Sequence, residues 1–447
     1  MTRRGRLKAR IDDVRRKLLT AVVRGEPLVI VKAPPGSGKT RVILEVAALL
    51  RSKGKRIAIA GQTNSQVDDI CRRLTEQFEF PVVRFCSSGN RARGDLGEQV
   101  TWIDQTKELP TGAAIVATTA AKWGWYGRPH APFDYLLIDE AWQLAFADFM
   151  LLDQVAPRMV MVGDPGQIAP VVSIDTARWA TSDAPPHVAA PELLLNANGA
   201  DPVALELPAS YRLPHDSVRA VNEFYDFEFE SWAEPADRGT EFGSPDNPSE
   251  LDPVLDALSN RSIVAATIPT PPEGPPLEED RELAQLAASL VHRMVERGGR
   301  LTVDGEEIEV NGREIGMCAT HRRMNSRLVE SLGPDLSSQV LVDTAERWQG
   351  LERPLMVIVH PVSGTTDPTT FDLQTERLCV MASRHKVGLI VVSRDHVRAT
   401  LDELLPVAEQ HVGLPDITGR GLGRQRAFWA DLEQSDAVLE IGLPISS

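Results

Sequence analysis

Cysteine is scarce in this chain of 447 residues: Cys71, Cys86, Cys318 and Cys379 stand apart, with no C-x-x-C spacing. That pattern excludes a disulfide framework and a thiolate zinc site, and it suits reduced thiols in a cytoplasmic setting. Long hydrophobic runs are missing too. No stretch approaches the length of a membrane-spanning helix, so no membrane partner is expected. The basic start, Thr2 to Lys8, has no apolar segment behind it and does not read as a secretory signal. Positive charge is in deficit. Lys and Arg number 48 against 63 Asp and Glu, for a net charge of −15. A chain that coats nucleic acid through bulk charge is thereby disfavoured, whereas a local groove that grips a strand is not. The one basic stretch, Arg3 to Lys17, reads as a solvated helix face or as a phosphate contact. No repeat of solenoid period is present.

What is present is ordinary globular composition, 42% hydrophobic and 25% charged, in a length that accommodates two or three domains. Short apolar runs alternate with helical patterns at Leu28–Val31, Arg56–Ala60, Ala114–Ala117, Tyr135–Ile138 and Met159–Val162. A second series follows at Ser262–Ala266, Ile315–Ala319, Gln339–Val342, Leu355–Val359 and Leu389–Val392. Strands separated by helices imply parallel sheets covered on both faces. The expected fold class is α/β, with one domain over residues 1–205 and a second over 206–447. Residues 86–112 read as a short polar insertion in the first domain. Residues 226–282, rich in proline and acid, read as mostly loop around the strand Ile263–Ala266, and 397–447 as a tail. A helix is expected from Arg281 to Glu296, with Leu283, Leu286, Leu290 and Met294 as its apolar stripe.

The sharpest signal is Ala33-Pro34-Pro35-Gly36-Ser37-Gly38-Lys39-Thr40, placed between the apolar run Leu28–Val31 and the helical run Val42–Ala47. Strand, glycine-rich turn and helix start in this order make a phosphate-binding P-loop. The turn from Pro35 to Thr40 would wrap the phosphates, with the backbone N–H groups of Gly36, Ser37, Gly38, Lys39 and Thr40 and the helix dipole facing them. Lys39 would reach the β- and γ-phosphates, and the Thr40 hydroxyl would ligate Mg²⁺. Ala33 stands where the pattern has its first glycine.

Downstream, Tyr135-Leu136-Leu137-Ile138-Asp139-Glu140-Ala141-Trp142-Gln143 is an apolar strand ending in two carboxylates. At such a tip Asp139 can hold the Mg²⁺ water shell and Glu140 can orient or deprotonate the attacking water; paired acids there also occur as helix caps. Gly163-Asp164-Pro165-Gly166-Gln167 ends another strand, with Gln167 placed to sense the γ-phosphate or its water, or to serve as a polar turn.

The order of P-loop, Asp-Glu-Ala-x-Gln and Gly-Asp-x-x-Gln resembles superfamily 1 helicases, most of all the branch with the nonsense-mediated-decay and senataxin-type helicases. Ser210-Tyr211-Arg212-Leu213-Pro214 is similar to the family's Tyr-Arg motif. Val342-Asp343-Thr344-Ala345-Glu346-Arg347-Trp348-Gln349-Gly350-Leu351-Glu352 is similar to motif V, and Arg377 to Lys386 to motif VI. The resemblance covers roughly residues 28 to 393. It implies two RecA-like domains, each a mostly parallel sheet flanked by helices, with ATP and Mg²⁺ in the cleft between them. It also implies Tyr211 stacking on the base, Arg212 on the γ-phosphate, Glu352 at the nucleotide and Arg384 as arginine finger. Movement 5′ to 3′ along single-stranded DNA or RNA is implied likewise.

The strand contacts implied by the resemblance are Thr63 and Asn64 in motif Ia, the pair Thr118 and Thr119, His321 and Arg322, and Thr344. Short polar groups at strand ends suit sequence-independent phosphate binding, and each is equally an ordinary loop residue. Trp123, Trp125 and Tyr126 offer base stacking or plain packing; Trp348 reads as core. Some residues depart from the family pattern. Residues 1–61 hold no glutamine to read adenine, which leaves the base preference open. Cys379, Ser383 and His385 stand where Asn, Thr and Ala are usual, and His385 reads as a packing substitution. The few residues before the P-loop leave no room there for an accessory barrel, so strand translocation is expected to exceed duplex separation. Alternatives are an ATPase motor subunit working with other protein subunits in a processing or defence complex, and a non-hydrolysing nucleotide switch. Intact Lys39, Asp139, Glu140 and Arg384 disfavour the switch.

Overall fold

The computed structural model describes residues 2–87, 89, 96–126, 133–170, 176–179, 182–197, 201–276, 278–404 and 417–442. The chain forms two units, one of residues 1–165 and 169–209, the other of residues 166–168 and 210–447.

In the first unit, eight strands make one sheet: β1 (Leu28–Lys32), β2 (Ile57–Gly61), β3 (Val82–Phe85), β4 (Val100–Ile103), β5 (Ile115–Thr119), β6 (Tyr135–Ile138), β7 (Met159–Gly163) and β8 (Val203–Glu206). Their order is β4-β3-β5-β2-β6-β7-β1-β8, and every neighbouring pair is parallel. The central strands are apolar throughout because helices cover both faces. Val29 and Val31 of β1 enter one apolar cluster and Ile30 the other. Helix Arg3–Arg24 begins at Thr2, whose hydroxyl accepts the Gly5 N–H at 3.1 Å, and ends at Gly25 in the left-handed region. It buries Leu7, Ile11, Leu18 and Val22 and places Lys8–Asp12 and Arg16–Asp13 ion pairs on its outer side. That is the solvated-face reading of the basic stretch.

The segment 86–112 is more than a polar insertion. Val100–Ile103 is the sheet's edge strand, with Val100 and Ile103 buried, Trp102 half-buried against the core and Thr101 exposed.

The second unit has a six-stranded sheet and a three-stranded one. Its strands are β9 (Arg238–Phe242), β10 (Ile263–Ile268), β11 (Gly299–Val303), β12 (Glu306–Glu309), β13 (Ile315–Cys318), β14 (Leu341–Asp343), β15 (Arg353–Val359), β16 (His385–Arg394) and β17 (Val438–Glu440). The large sheet runs β14-β13-β15-β16-β10-β17, parallel at every neighbour, and β9-β11-β12 form the small antiparallel sheet. Helix Arg281–Arg297 buries Leu283, Leu286, Leu290 and Met294, the expected stripe.

Two expectations for this unit are corrected. Residues 226–282 hold more than loop around one strand: they include β9, helix Asp252–Asn260 and β10, with Asp252 ion-paired to Arg293 at 2.8 Å. Residues 397–447 are not simply a tail. Helix Ile417–Gln434 sends Phe428, Trp429 and Leu432 into the core, and β17 extends the sheet beside β10. Those side chains complete the apolar face that the sheet alone leaves open. Among the described residues no helix is long and apolar enough to cross a membrane.

Candidate nucleotide and nucleic-acid sites

In the first unit, β1 delivers the chain into the P-loop. The Ala33 N–H donates to the Gly163 carbonyl at 2.8 Å, tying the loop's start to β7. Gly36 and Gly38 have φ of 67° and 82°, a region that L side chains rarely adopt, so glycine is required at both bends. Helix Lys39–Ser52 starts directly after Gly38.

At this helix start, two acids flank the lysine and a third meets Thr40. The Lys39 ammonium lies 3.6 Å from Glu140 and 3.7 Å from Asp164. The Thr40 hydroxyl donates to Asp139 Oδ2 at 3.1 Å. Burial, then the neighbouring Glu140 charge, pushes the Asp139 carboxyl up to about 7 against the opposing pull of Lys39. Glu140 itself adopts a left-handed backbone, φ 51°, and its N–H donates to Asp139 Oδ1 at 3.0 Å. That bend aims the two acids differently although they are adjacent. The Ser37 hydroxyl is buried with no hydrogen-bond partner among the described residues. An orphaned hydroxyl in a glycine-bent loop, beside a lysine and a Thr–Asp pair, fits a triphosphate with its magnesium ion.

Two residues here were not singled out from the sequence. Asp164 is buried opposite Lys39. The Gln62 carboxamide reaches the backbone carbonyls of Asp139 and Glu140, at 3.5 and 3.4 Å, and so ties the loop after β2 to the acidic motif. An acid directly after β7 was a readable signal for Asp164; nothing local marked Gln62. Gly163 has its own reason. A Cβ there would sit 2.8 Å from the Ala141 nitrogen and from the Trp142 ring.

In the second unit, Arg212, Glu352 and Lys386 form a triad. Arg212 Nε donates to Glu352 Oε2 at 2.7 Å, and Lys386 reaches Oε1 at 2.5 Å. Burial alone would raise the Glu352 carboxyl, but the Arg212 and Lys386 charges hold it down to about 2. Glu352, expected at the nucleotide, is thus the carboxylate that orients Arg212. Arg384 is buried. Its Nε donates to the Val380 carbonyl at 2.9 Å and its Nη2 to Ser383 Oγ at 3.2 Å. Tyr211 is 39% exposed, with its ring 5.5 Å from that of Trp232. Gln167 is buried and belongs with this second unit.

The nucleic-acid candidates divide. Thr63 caps helix Asn64–Phe78, accepting the Gln66 N–H at 3.3 Å, and the Asn64 side chain accepts from Arg84 at 2.8 Å. Thr118 is 1% exposed within β5, a correction to its expected strand contact. Thr119 accepts the Lys122 N–H at 3.3 Å. His321 lies 3.6 Å from Asp372 and faces the Phe371 ring at 5.2 Å, directly before Arg322, the first residue of helix Arg322–Ser337. Thr344 is buried, and its N–H donates to Asp343 at 2.8 Å. Trp123 is core, donating to the Ile59 carbonyl at 3.0 Å, whereas Trp125 is 91% exposed. Trp348 is buried and donates to the Met317 carbonyl at 3.0 Å, which is the core role expected of it.

Comparison with known proteins adds to this geometry. A family profile described as an AAA domain matches residues 10–110. The DNA replication ATP-dependent helicase/nuclease DNA2 of Saccharomyces cerevisiae is 28% identical over 172 residues, covering 36% of this chain and 11% of that protein. The protein of the same name from Mus musculus is 22% identical, covering 86% of this chain and 37% of the other. The regulator of nonsense transcripts 1 homolog of Drosophila melanogaster is 21% identical, covering 87% and 35%. The chain therefore spans little more than a third of these relatives at most. In the order of its motifs and in these likenesses, the chain is similar to superfamily 1 helicases.

Proposed function

We propose that the chain is an ATP-dependent helicase or single-strand translocase, hydrolysing ATP between its two RecA-like units and moving along DNA or RNA in the 5′ to 3′ sense. The observation that carries this reading is the convergence of Lys39, Thr40, Asp139, Glu140 and Asp164 around the glycine-bent loop. In this reading Lys39 and the loop N–H groups bind the phosphates, and Thr40 with Asp139 holds the magnesium ion. When bound, that ion supplies charge neutralisation at the phosphate oxygens. Glu140 takes the proton of the attacking water. Arg212 and Arg384, from the other unit, stabilise the charge that develops on the transferred group.

Binding and hydrolysis of ATP give a stroke if each nucleotide state grips the strand differently. Thr119, His321 and Arg322 are the grip residues this reading retains, with Thr63 and Thr344 acting through their loops. Trp125, exposed on the helix Ala120–Tyr126 that follows Thr119, adds a stacking surface. The test is strand displacement on a forked duplex, read beside ATP turnover for the wild type and Lys39→Ala. Turnover and movement that both vanish with Lys39 support the reading; movement that survives without Lys39 contradicts it.

A further inference from the structure

The residue after the proposed arginine finger is a histidine, fully buried at the start of β16. His385 Nε2 lies 2.7 Å from Ser217 Oγ. Ser217 Oγ lies 2.5 Å from Ser262 Oγ, and the Ser262 hydroxyl in turn donates to Asp216, whose second oxygen accepts the Ser262 N–H at 2.7 Å. The polarity of this chain is determined by its end. A carboxylate only accepts, so Ser262 must donate to Asp216; Ser217 must then donate to Ser262, and His385 Nε2 must donate to Ser217. The relay therefore selects the Nε2–H tautomer of His385 and fixes its ring from an exposed carboxylate at the helix start Ser217–Asn222.

What the relay holds is the segment carrying the finger. Four consecutive residues are pinned there by different elements. Arg212 Nη1 donates to the Ser383 carbonyl at 3.3 Å, and the Arg353 N–H to the Arg384 carbonyl at 3.0 Å. Ser217 holds the His385 side chain, and Arg238 Nη1 donates to the Lys386 carbonyl at 3.3 Å. The root of Arg384 thus has no slack.

We propose that Asp216, Ser262, Ser217 and His385 form a positioning relay that fixes the Arg384 segment for contact with the transferred phosphate. This inference rests on the reading of Arg384 as the arginine finger. It makes His385 a positioning residue rather than a packing substitution, and it links the Tyr211–Arg212 segment to the finger through hydrogen bonds.

The experiment compares ATP turnover, saturated with a single strand, in Ser217→Ala, His385→Leu, His385→Gln and the double variant Ser217→Ala/His385→Leu. Ser217→Ala and His385→Leu are expected to lower kcat about tenfold with KM for ATP little changed, since small misplacements of a catalytic group act on the transition state. The double variant should be no worse than either single one. His385→Gln, whose carboxamide N–H can stand in for Nε2–H, should recover to within about threefold of wild type. An unchanged kcat, multiplying effects, or equal losses in His385→Leu and His385→Gln would overturn the relay. Nitrogen-15 spectra of the histidine rings give a readout independent of turnover: Nε2–H for His385 in wild type, altered in Asp216→Asn. Wild type without turnover, or Arg384→Ala without loss, would instead overturn the function on which the relay depends.

Discussion

Arg212 and Glu352 stand 140 positions apart in sequence and 2.7 Å apart in the fold, joined through Nε and Oε2. The pair orients the guanidinium together with the Ser383 carbonyl, and Lys386 on the other carboxylate oxygen fixes the acid in turn. Glu352→Gln keeps the shape and removes the charge. Expected is a fall in kcat of about tenfold or more, with KM for ATP changed less. Because the pair is partly exposed, the stability loss should stay near 1 kcal/mol. Steady-state kinetics and urea unfolding check both; a variant with wild-type kcat contradicts the orienting role.

Glu140 and Lys39 face each other at 3.6 Å across the P-loop. Glu140→Gln should lower turnover by about 100-fold or more, the range of a lost general base, while leaving ATP binding intact. Binding of a fluorescent ATP analogue beside turnover separates the two effects. Hydrolysis at the wild-type rate would remove Glu140 from the role.

The buried imidazole of His360 makes a pH prediction. Burial holds it down to about 3, and its Nδ1 accepts the Val362 N–H at 3.3 Å, which requires the neutral ring. The unfolded chain takes up this proton below about 6.5, and the folded chain does so only near 3, so stability falls as pH drops through that window. The expected slope is about 1.4 kcal/mol per pH unit from this one ring. Urea midpoints of wild type and His360→Asn between pH 7.5 and 5 should diverge toward acid, with the wild type falling faster. Parallel curves would contradict the assignment.

Trp429 is 2% exposed, in the same cluster as Phe428 and Leu432. Trp429→Ala should cost about 3–5 kcal/mol, as large buried truncations do. A loss below about 1 kcal/mol, again by urea unfolding, would mean that helix Ile417–Gln434 is dispensable to the second unit.

Local pattern carried much of this molecule. The apolar runs of β1, β2, β5, β6 and β7 are uninterrupted because both faces are covered, and the P-loop follows from strand, glycines and helix within some twenty residues. Strand β4, Val100-Thr101-Trp102-Ile103, is a four-residue edge strand with Thr101 exposed and polar sequence around it, so it read as polar insertion. Helix Asp252–Asn260 opens with a proline in its first turn, and proline-rich flanks hid it. Gln62 and the His385 relay depend on partners 45 to 168 positions away, a distance no local spacing encodes. Thr118 shows the converse. A threonine at a strand's end looks like a ligand-facing hydroxyl until the sheet closes over it.

The most direct measurement is the rate of ATP hydrolysis by the whole chain with magnesium, alone and with single-stranded DNA or single-stranded RNA, beside Arg384→Ala. The proposed motor should hydrolyse ATP slowly alone and at least about tenfold faster with one of the strands, and Arg384→Ala should lose about 1,000-fold of that rate. Hydrolysis indifferent to either strand, or a full rate without Arg384, would contradict it.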